Sequence, residues 1–157
     1  MNVSDIIYVG FSYGSSHSGY IFEGVIIMDD NELIETARKY RERSYSPYSH
    51  FAVGAAVLTA DGKVYGGCNI ENASYPVTNC AERTAIFKAV SEGAKKIDTV
   101  AIIADTPGPC SPCGMCRQAM AEFHVDNVIM ANLKGDVKKV PLSELLPYTF
   151  SDSDMEG

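Results

Sequence analysis

The sequence predicts a single α/β domain in which helices cover one mixed sheet. Helical and strand-like segments follow one another in the order α-β-β-α-β-α-β, which favours one sheet packed against helices. The chain has 157 residues, of which 46% are hydrophobic and 21% charged. This size and composition are typical of a soluble protein with one core.

The first helix is predicted to begin at Asp29. Asp29 and Glu32 have the spacing of a capping box, and apolar residues from Leu33 to Tyr40 then recur at helical spacing. The segment SPYSHF (46–51) ends this helix.

Four apolar or β-branched segments are predicted strands: FAVGAAVLTA (51–60), KVYGGCNI (63–70), TVAIIAD (99–105) and NVIMANL (127–133). KKVP (138–141) is expected to add a short strand after them. The first two are joined by Asp61-Gly62, a dipeptide typical of a hairpin turn. Two helices separate the later strands: CAERTAIFKAVSEG (80–93), which ends at a glycine, and CGMCRQAMAEF (113–123). Ser143 is expected to cap a last helical turn.

The two ends of the chain differ from this core. Residues 1–27 contain no Lys or Arg, so neither a secretory signal nor a transit peptide fits them. We expect Met28 to be the natural start and residues 1–27 to be an extension added by cloning or start-site assignment. The alternative is an extra edge hairpin of IIYVGFSY (6–13) with YIFEGVII (20–27). The acidic tail, residues 151–157, is expected to be mobile.

Charge and hydropathy narrow the class of ligand. The net charge is −7 and the pI about 4.9, which suits a small molecule better than a phosphate backbone. No apolar run approaches the ~20 residues that cross a bilayer. We therefore expect no nucleic-acid partner and no membrane partner.

Cysteine usage points to metal or redox chemistry. The chain has five cysteines, and three of them lie in CSPCGMC (110–116). An odd, clustered set disfavours a secreted disulfide framework, and it favours thiol chemistry in a reducing cytoplasm. The sequence thus predicts a cytoplasmic protein.

The predicted helix starts select three of these cysteines as zinc ligands. Cys80 and Cys113 each begin a helix, and Cys116 shares one face with Cys113. Unpaired backbone N–H groups at helix starts favour thiolates. Three protein ligands and a water are typical of catalytic zinc. Cys110 precedes Pro112 in the loop and is left out of the set.

Glu82 follows Cys80 by two residues. There its carboxylate can lie beside a metal and carry a proton from water to a leaving group, which a structural zinc does not require. The alternative is a first-turn glutamate that only complements the helix dipole.

The segments NCAERTA (79–85) and PCGMCRQ (112–118) resemble the two signatures of short homotetrameric cytidine deaminases. The resemblance runs from Met28 to Phe150, and it makes residues 28–150 the deaminase domain. It implies a three-layer α/β/α fold with a mixed five-stranded sheet. It also implies one zinc per chain and a homotetramer whose sites are completed by neighbouring subunits.

The implied reaction converts cytidine or 2′-deoxycytidine to the uracil nucleoside and ammonia, in pyrimidine salvage. Zinc would acidify a water, and Glu82 would move its protons to N3 and then to the amine. By resemblance, the Ala81 N–H holds the base carbonyl and Arg83 hydrogen-bonds the ligand sulfurs.

The resemblance also assigns residues that contact the nucleoside. Asn69 and Glu71 hold the sugar 3′-OH, and Phe51 packs on the pyrimidine. Phe150 reaches the site of a neighbouring subunit.

Three other functions remain open from sequence. An iron–sulfur carrier could use C-x₂-C-x₂-C with Cys80 as fourth ligand, and a structural zinc module could use Cys80 with all three cysteines of residues 110–116. A related deaminase could act on other aminopyrimidines, including blasticidin S.

Overall fold

The computed structural model describes residues 19–22 and 25–155. In chain order, the helices and strands are β1 (Gly19–Phe22), β2 (Val25–Met28), α1 (Asp30–Arg41), β3 (Val53–Thr59), β4 (Val64–Cys68), α2 (Ala81–Ser91), β5 (Ile97–Ala104), α3 (Gly114–Glu122), β6 (Asn127–Asn132), β7 (Val137–Pro141) and α4 (Leu142–Leu145). Two short 3₁₀ helices, Tyr75–Val77 and Asp152–Met155, complete the described elements.

The main sheet is mixed and five-stranded, with the order β4-β3-β5-β6-β7. Strands β5 and β6 are parallel, and the other neighbouring pairs are antiparallel. A parallel pair needs a crossover, which α3 supplies between β5 and β6. The prediction of a mixed five-stranded sheet is confirmed.

Helices cover both faces of this sheet, which confirms the three-layer fold. On one face, Leu33 and Ala37 of α1 pack with Ala101 of β5. On the other, Ile86 of α2 and Met120 of α3 pack with the adjacent β5 positions, Val100 and Ile102. Because successive side chains of a strand point to opposite faces, a strand buried on both sides is apolar throughout.

Local signals place most of the element ends. The Asp29 carboxylate accepts the Asn31 N–H at 3.1 Å, so α1 begins where predicted. Gly62 at the hairpin and Gly93 after α2 have φ of 80° and 99°, values that favour glycine. The Ser143 cap is wrong: β7 runs directly into α4, whose cap position is Pro141. Burial of Leu142 at the first helical position places Ser143 inside the helix.

The N-terminal segment forms a separate hairpin. Strands β1 and β2 pair antiparallel, with Gly19 opposite Met28, in a two-stranded sheet of their own. YIFEGVII is therefore divided between two strands, while IIYVGFSY lies outside the described residues. The status of residues 1–27 as an extension stays a prediction.

Candidate functional site

Two helix starts bring three sulfurs together. Cys80 is the cap residue of α2 and Cys113 that of α3, both in extended backbone, and neither side chain caps its own helix. The Cys80 and Cys113 Sγ atoms are 3.9 Å apart, and those of Cys113 and Cys116 are 3.6 Å apart. The starts of α2 and α3 thus place the three sulfur atoms in one cluster.

The donor set fits a zinc ion. The three sulfurs all lie within 4.8 Å of one another. A tetrahedral zinc with Zn–S bonds of ~2.3 Å separates its sulfurs by about 3.8 Å, close to the spacings seen here. Within the described ranges this is the one group of three or more potential ligands, and Cys110 is not in it. The geometry therefore favours three protein ligands over a closed four-cysteine site.

A hydrogen bond between Cys80 and Cys116 and a nearby guanidinium shift the pKa values of these two thiols. The bond to Cys116, with a further contribution from Arg83, lowers the pKa of Cys80 to about 5. The same bond, together with burial, raises the pKa of Cys116. A bound cation would displace the remaining protons, because metal ligands must be thiolates.

Arg83 supplies positive charge beside the ligands. Its Nη2 lies 3.8 Å from the Cys80 sulfur and 3.4 Å from the Thr78 carbonyl oxygen. Three thiolates and Zn²⁺ would sum to −1, so a neighbouring cation moderates the excess charge. Arg83 therefore lies beside one of the predicted ligand sulfurs, and its role toward a metal stays a prediction.

Glu82 lies in the first turn of α2 and is buried, at 4% exposure. Burial raises the pKa of Glu82 to about 7, and the charge of Cys80 adds to the increase. A surface glutamate that only complemented the helix dipole would not need this burial. A carboxyl group with a pKa near 7 can both accept and donate a proton at neutral pH. Ala81, also buried, is the first residue of the same helix, where backbone N–H groups lack intrahelical partners.

Cys110 is a separate buried thiol. Its backbone N–H donates to the Ala131 carbonyl at 3.1 Å, which places it beside the end of β6. Burial raises the pKa of the Cys110 thiol to about 11, and the charge of Glu82 adds to it. The thiol is therefore neutral at physiological pH and unsuited to oxidation.

Asn69 is buried, and its side chain holds the segment before β3. Its Oδ1 accepts the Val53 N–H at 2.8 Å and the Ser44 hydroxyl at 2.5 Å. Its Nδ2 donates to the Phe51 carbonyl at 2.8 Å. One amide hydrogen is left for a ligand, because a carboxamide carries two.

Glu71 holds the same segment from the other side. Its Oε2 accepts the backbone N–H groups of Tyr48 at 2.8 Å and Ser49 at 3.2 Å, and its Oε1 accepts the Ser49 hydroxyl. The hydrogen bond from the Ser49 hydroxyl, helped by the two backbone N–H groups, lowers the pKa of Glu71, so the carboxylate stays ionised.

The backbone at Ile70 connects this segment to the cysteines. Ile70 lies between Asn69 and Glu71, and it exchanges two hydrogen bonds of 2.9 Å with Asn79, the residue before Cys80. The structure therefore brings the predicted nucleoside contacts next to the predicted metal ligands.

Phe51 and Phe150 are both exposed, at 42% and 60%. The Phe150 carbonyl accepts a 2.8 Å hydrogen bond from Gln118 of α3. The Phe150 ring faces solvent in the single chain.

Sequence reasoning missed Arg117. Its Nε donates to the Pro112 carbonyl at 2.9 Å, its Nη1 to the Leu145 carbonyl at 2.8 Å and its Nη2 to the Ser111 hydroxyl at 2.9 Å. It thereby ties the loop before Cys113 to the end of α4. The arginine after C-x-x-C was visible in sequence, but its partners were not.

None of the described helices has the length and apolarity to cross a membrane.

Comparison with known proteins gives concordant matches. A family model of the cytidine and deoxycytidylate deaminase zinc-binding region matches residues 27–132. Cytidine deaminase from Sporosarcina psychrophila is 53% identical over 130 residues, which cover 82% of this chain and 96% of that protein. Cytidine deaminase from Halalkalibacterium halodurans is also 53% identical over 130 residues, covering 82% and 98%. A crystal structure of cytidine deaminase from Burkholderia pseudomallei is 47% identical, with a TM-score of 0.76, and covers 78% of this chain and 100% of that one.

Proposed function

This chain belongs to the cytidine and deoxycytidylate deaminase family, and from that premise we propose that it hydrolytically deaminates cytidine and 2′-deoxycytidine. The products are the uracil nucleoside and ammonia. The observation that carries this proposal is a buried Glu82 beside three sulfurs that fit a zinc ion.

Cys80, Cys113 and Cys116 hold one zinc per chain. When bound, zinc supplies Lewis-acid chemistry that brings the pKa of water to about 7. Arg83 lies near Cys80 and limits the negative charge that the three thiolates bring.

Glu82 moves the protons. It takes one proton from water as the oxygen bonds to C4 of the pyrimidine, and it delivers that proton to N3. It then carries the second proton from the C4 hydroxyl to the amine, and the C4–N bond breaks. One hydrogen of water stays on N3, the other leaves with ammonia, and the water oxygen becomes the C4 carbonyl. A pKa near 7 supports both transfers.

Other side chains bind and orient the nucleoside. Asn69 donates its second amide hydrogen to the sugar 3′-OH. Glu71 accepts the hydrogen of that hydroxyl with a free lone pair of its carboxylate. Phe51 packs on the pyrimidine, and the Ala81 N–H contacts its carbonyl.

The assembly we propose is a homotetramer with shared sites. Support comes from the 60% exposure of Phe150, which leaves its ring free to complete the site of a neighbour. A cytoplasmic role in pyrimidine salvage accords with the free cysteines. A nucleoside substrate accords with the acidic chain, as a polynucleotide would favour a basic channel.

The test follows the loss of cytidine absorbance with wild type, Glu82→Gln and the exposed control Glu122→Gln, with zinc counted in each. We expect one zinc per chain in all three. Glu82→Gln should lose at least ~10²-fold in rate, the lower end for general acid–base catalysis, and Glu122→Gln should match wild type. A zinc-loaded wild type without turnover contradicts the proposal, and other aminopyrimidines, including blasticidin S, would then be assayed.

A further inference from the structure

The hydroxyl of Ser49 lies between two residues of the proposed nucleoside site. It donates to Oε1 of Glu71 and accepts the backbone N–H of Phe51 at 3.1 Å. The backbone N–H of Ser49 also donates to Oε2 of Glu71 at 3.2 Å. One residue therefore contacts both the carboxylate proposed for the sugar and the aromatic proposed for the base.

These contacts orient Glu71 without using all of its acceptor capacity. Oε2 receives two backbone N–H groups, from Tyr48 and Ser49, while Oε1 receives the Ser49 hydroxyl alone. Each carboxylate oxygen has two lone-pair directions, so one on Oε1 is open to a further hydroxyl donor. Ser49 thus determines where that open acceptor points.

The same hydroxyl fixes the backbone of Phe51. The Phe51 N–H is bound by Ser49, and its carbonyl oxygen by Asn69 Nδ2 at 2.8 Å. The ring is 42% exposed, so core packing alone does not hold it. These two contacts fix the backbone from which the ring projects.

We propose that Ser49 is a positioning residue that aligns the sugar-binding carboxylate with the base-packing ring, and that it thereby sets the preference for nucleosides with a 3′-hydroxyl. The proposal rests on the proposed deaminase function. Ser49 acts through Glu71 and Phe51 and takes no part in the proton transfers.

The experiment measures kcat and KM for 2′-deoxycytidine and 2′,3′-dideoxycytidine, which differ only at the 3′ position. The proteins are wild type, Ser49→Ala, Ser49→Thr and the control Ser74→Ala, an exposed serine whose side chain does not cap the following 3₁₀ helix. For Ser49→Ala, kcat/KM toward 2′-deoxycytidine should fall roughly tenfold, mostly through KM, as expected for one hydrogen bond to a charged group. The dideoxy substrate should lose less, because it has no hydroxyl to present to Glu71.

The preference for 2′-deoxycytidine over its dideoxy analogue should therefore shrink in Ser49→Ala and recover in Ser49→Thr, which keeps the hydroxyl. Ser74→Ala should match wild type, and melting temperatures should show that all variants are folded. If Ser49→Ala lost the same factor in kcat/KM for both substrates, the preference would be unchanged and the role of Ser49 would be overturned. A wild type that converts neither nucleoside contradicts the deaminase function itself, and this proposal falls with it.

Discussion

The sulfur of Cys80 lies 3.9 Å from the sulfur of Cys113, although the two residues begin different helices. A metal bound there joins the start of α2 to the start of α3. Because both helices cover the same face of the sheet, the ion would couple their packing to the core.

Removing zinc should therefore lower the melting temperature. A ligand that binds only the folded chain stabilises it by mass action. Because the three cysteines meet only in the folded chain, the free energy of zinc binding adds to the free energy of unfolding. We expect a strong chelator to lower the melting temperature by at least ~5 °C. The control is the same chelator saturated with zinc. An unchanged melt, with zinc shown by metal analysis to be gone, would refute the coupling.

Cys110→Ala should keep one zinc per chain, whereas Cys113→Ala should lose it. Cys110 is buried at 8% exposure, and the ligand group does not include it. Its removal should cost some stability, because a buried side chain is truncated. Zinc counted per folded chain separates the two variants. If Cys110→Ala also lost its zinc, the site would be a closed four-cysteine site and not a catalytic one.

Most helices and strands of the main sheet, and the three cysteines that cluster, were predictable because local spacing indicates them. The apolar run TVAIIAD predicts a strand buried on both faces, and the helix starts at Cys80 and Cys113 bring the thiols to one side. The partners of Asn69 lie 16 to 25 residues away in the chain, at Val53, Phe51 and Ser44. No sequence periodicity encodes such contacts. The sequence therefore predicted Asn69 as a sugar contact but not its hydrogen bonds to the segment before β3.

Ser143 shows the opposite limit, where a local signal was present and did not decide the structure. A serine before a short helical segment is a good cap, yet Leu142 is buried and becomes the first helical residue. Tertiary packing of one apolar side chain overrides a cap worth ~1 kcal/mol.

Arg83→Gln should accelerate zinc release. The guanidinium lies 3.8 Å from the Cys80 sulfur, and removing its charge leaves the thiolates more weakly compensated. We expect transfer of zinc to a chromophoric chelator to be roughly tenfold faster, the lower end for a hydrogen bond to a charged group. Arg38→Gln is the matched control, because Arg38 pairs with Glu35 on the exposed surface of α1. Equal release rates for Arg83→Gln and wild type would exclude a role for Arg83 in holding the metal.

Gly67→Ala should disturb both stability and turnover. A Cβ atom at Gly67 would lie 2.4 Å from the Ala85 backbone nitrogen and 2.7 Å from the Ala81 carbonyl oxygen. These are backbone atoms of α2, which cannot rotate away as the end of a side chain can. The helix would have to move from the sheet, and it would carry Glu82 with it.

We expect Gly67→Ala to lower the free energy of unfolding in urea by about 1–3 kcal/mol, the usual cost of overpacking a core. The turnover number should fall as well, because Glu82 lies in the displaced first turn. The matched control is Gly108→Ala, since nothing lies within 4 Å of a Cβ built at that position. Its unfolding energy should stay within about 0.5 kcal/mol of wild type. If Gly67→Ala were as stable and as active as Gly108→Ala, α2 would not pack on β4 as closely as the structure places it.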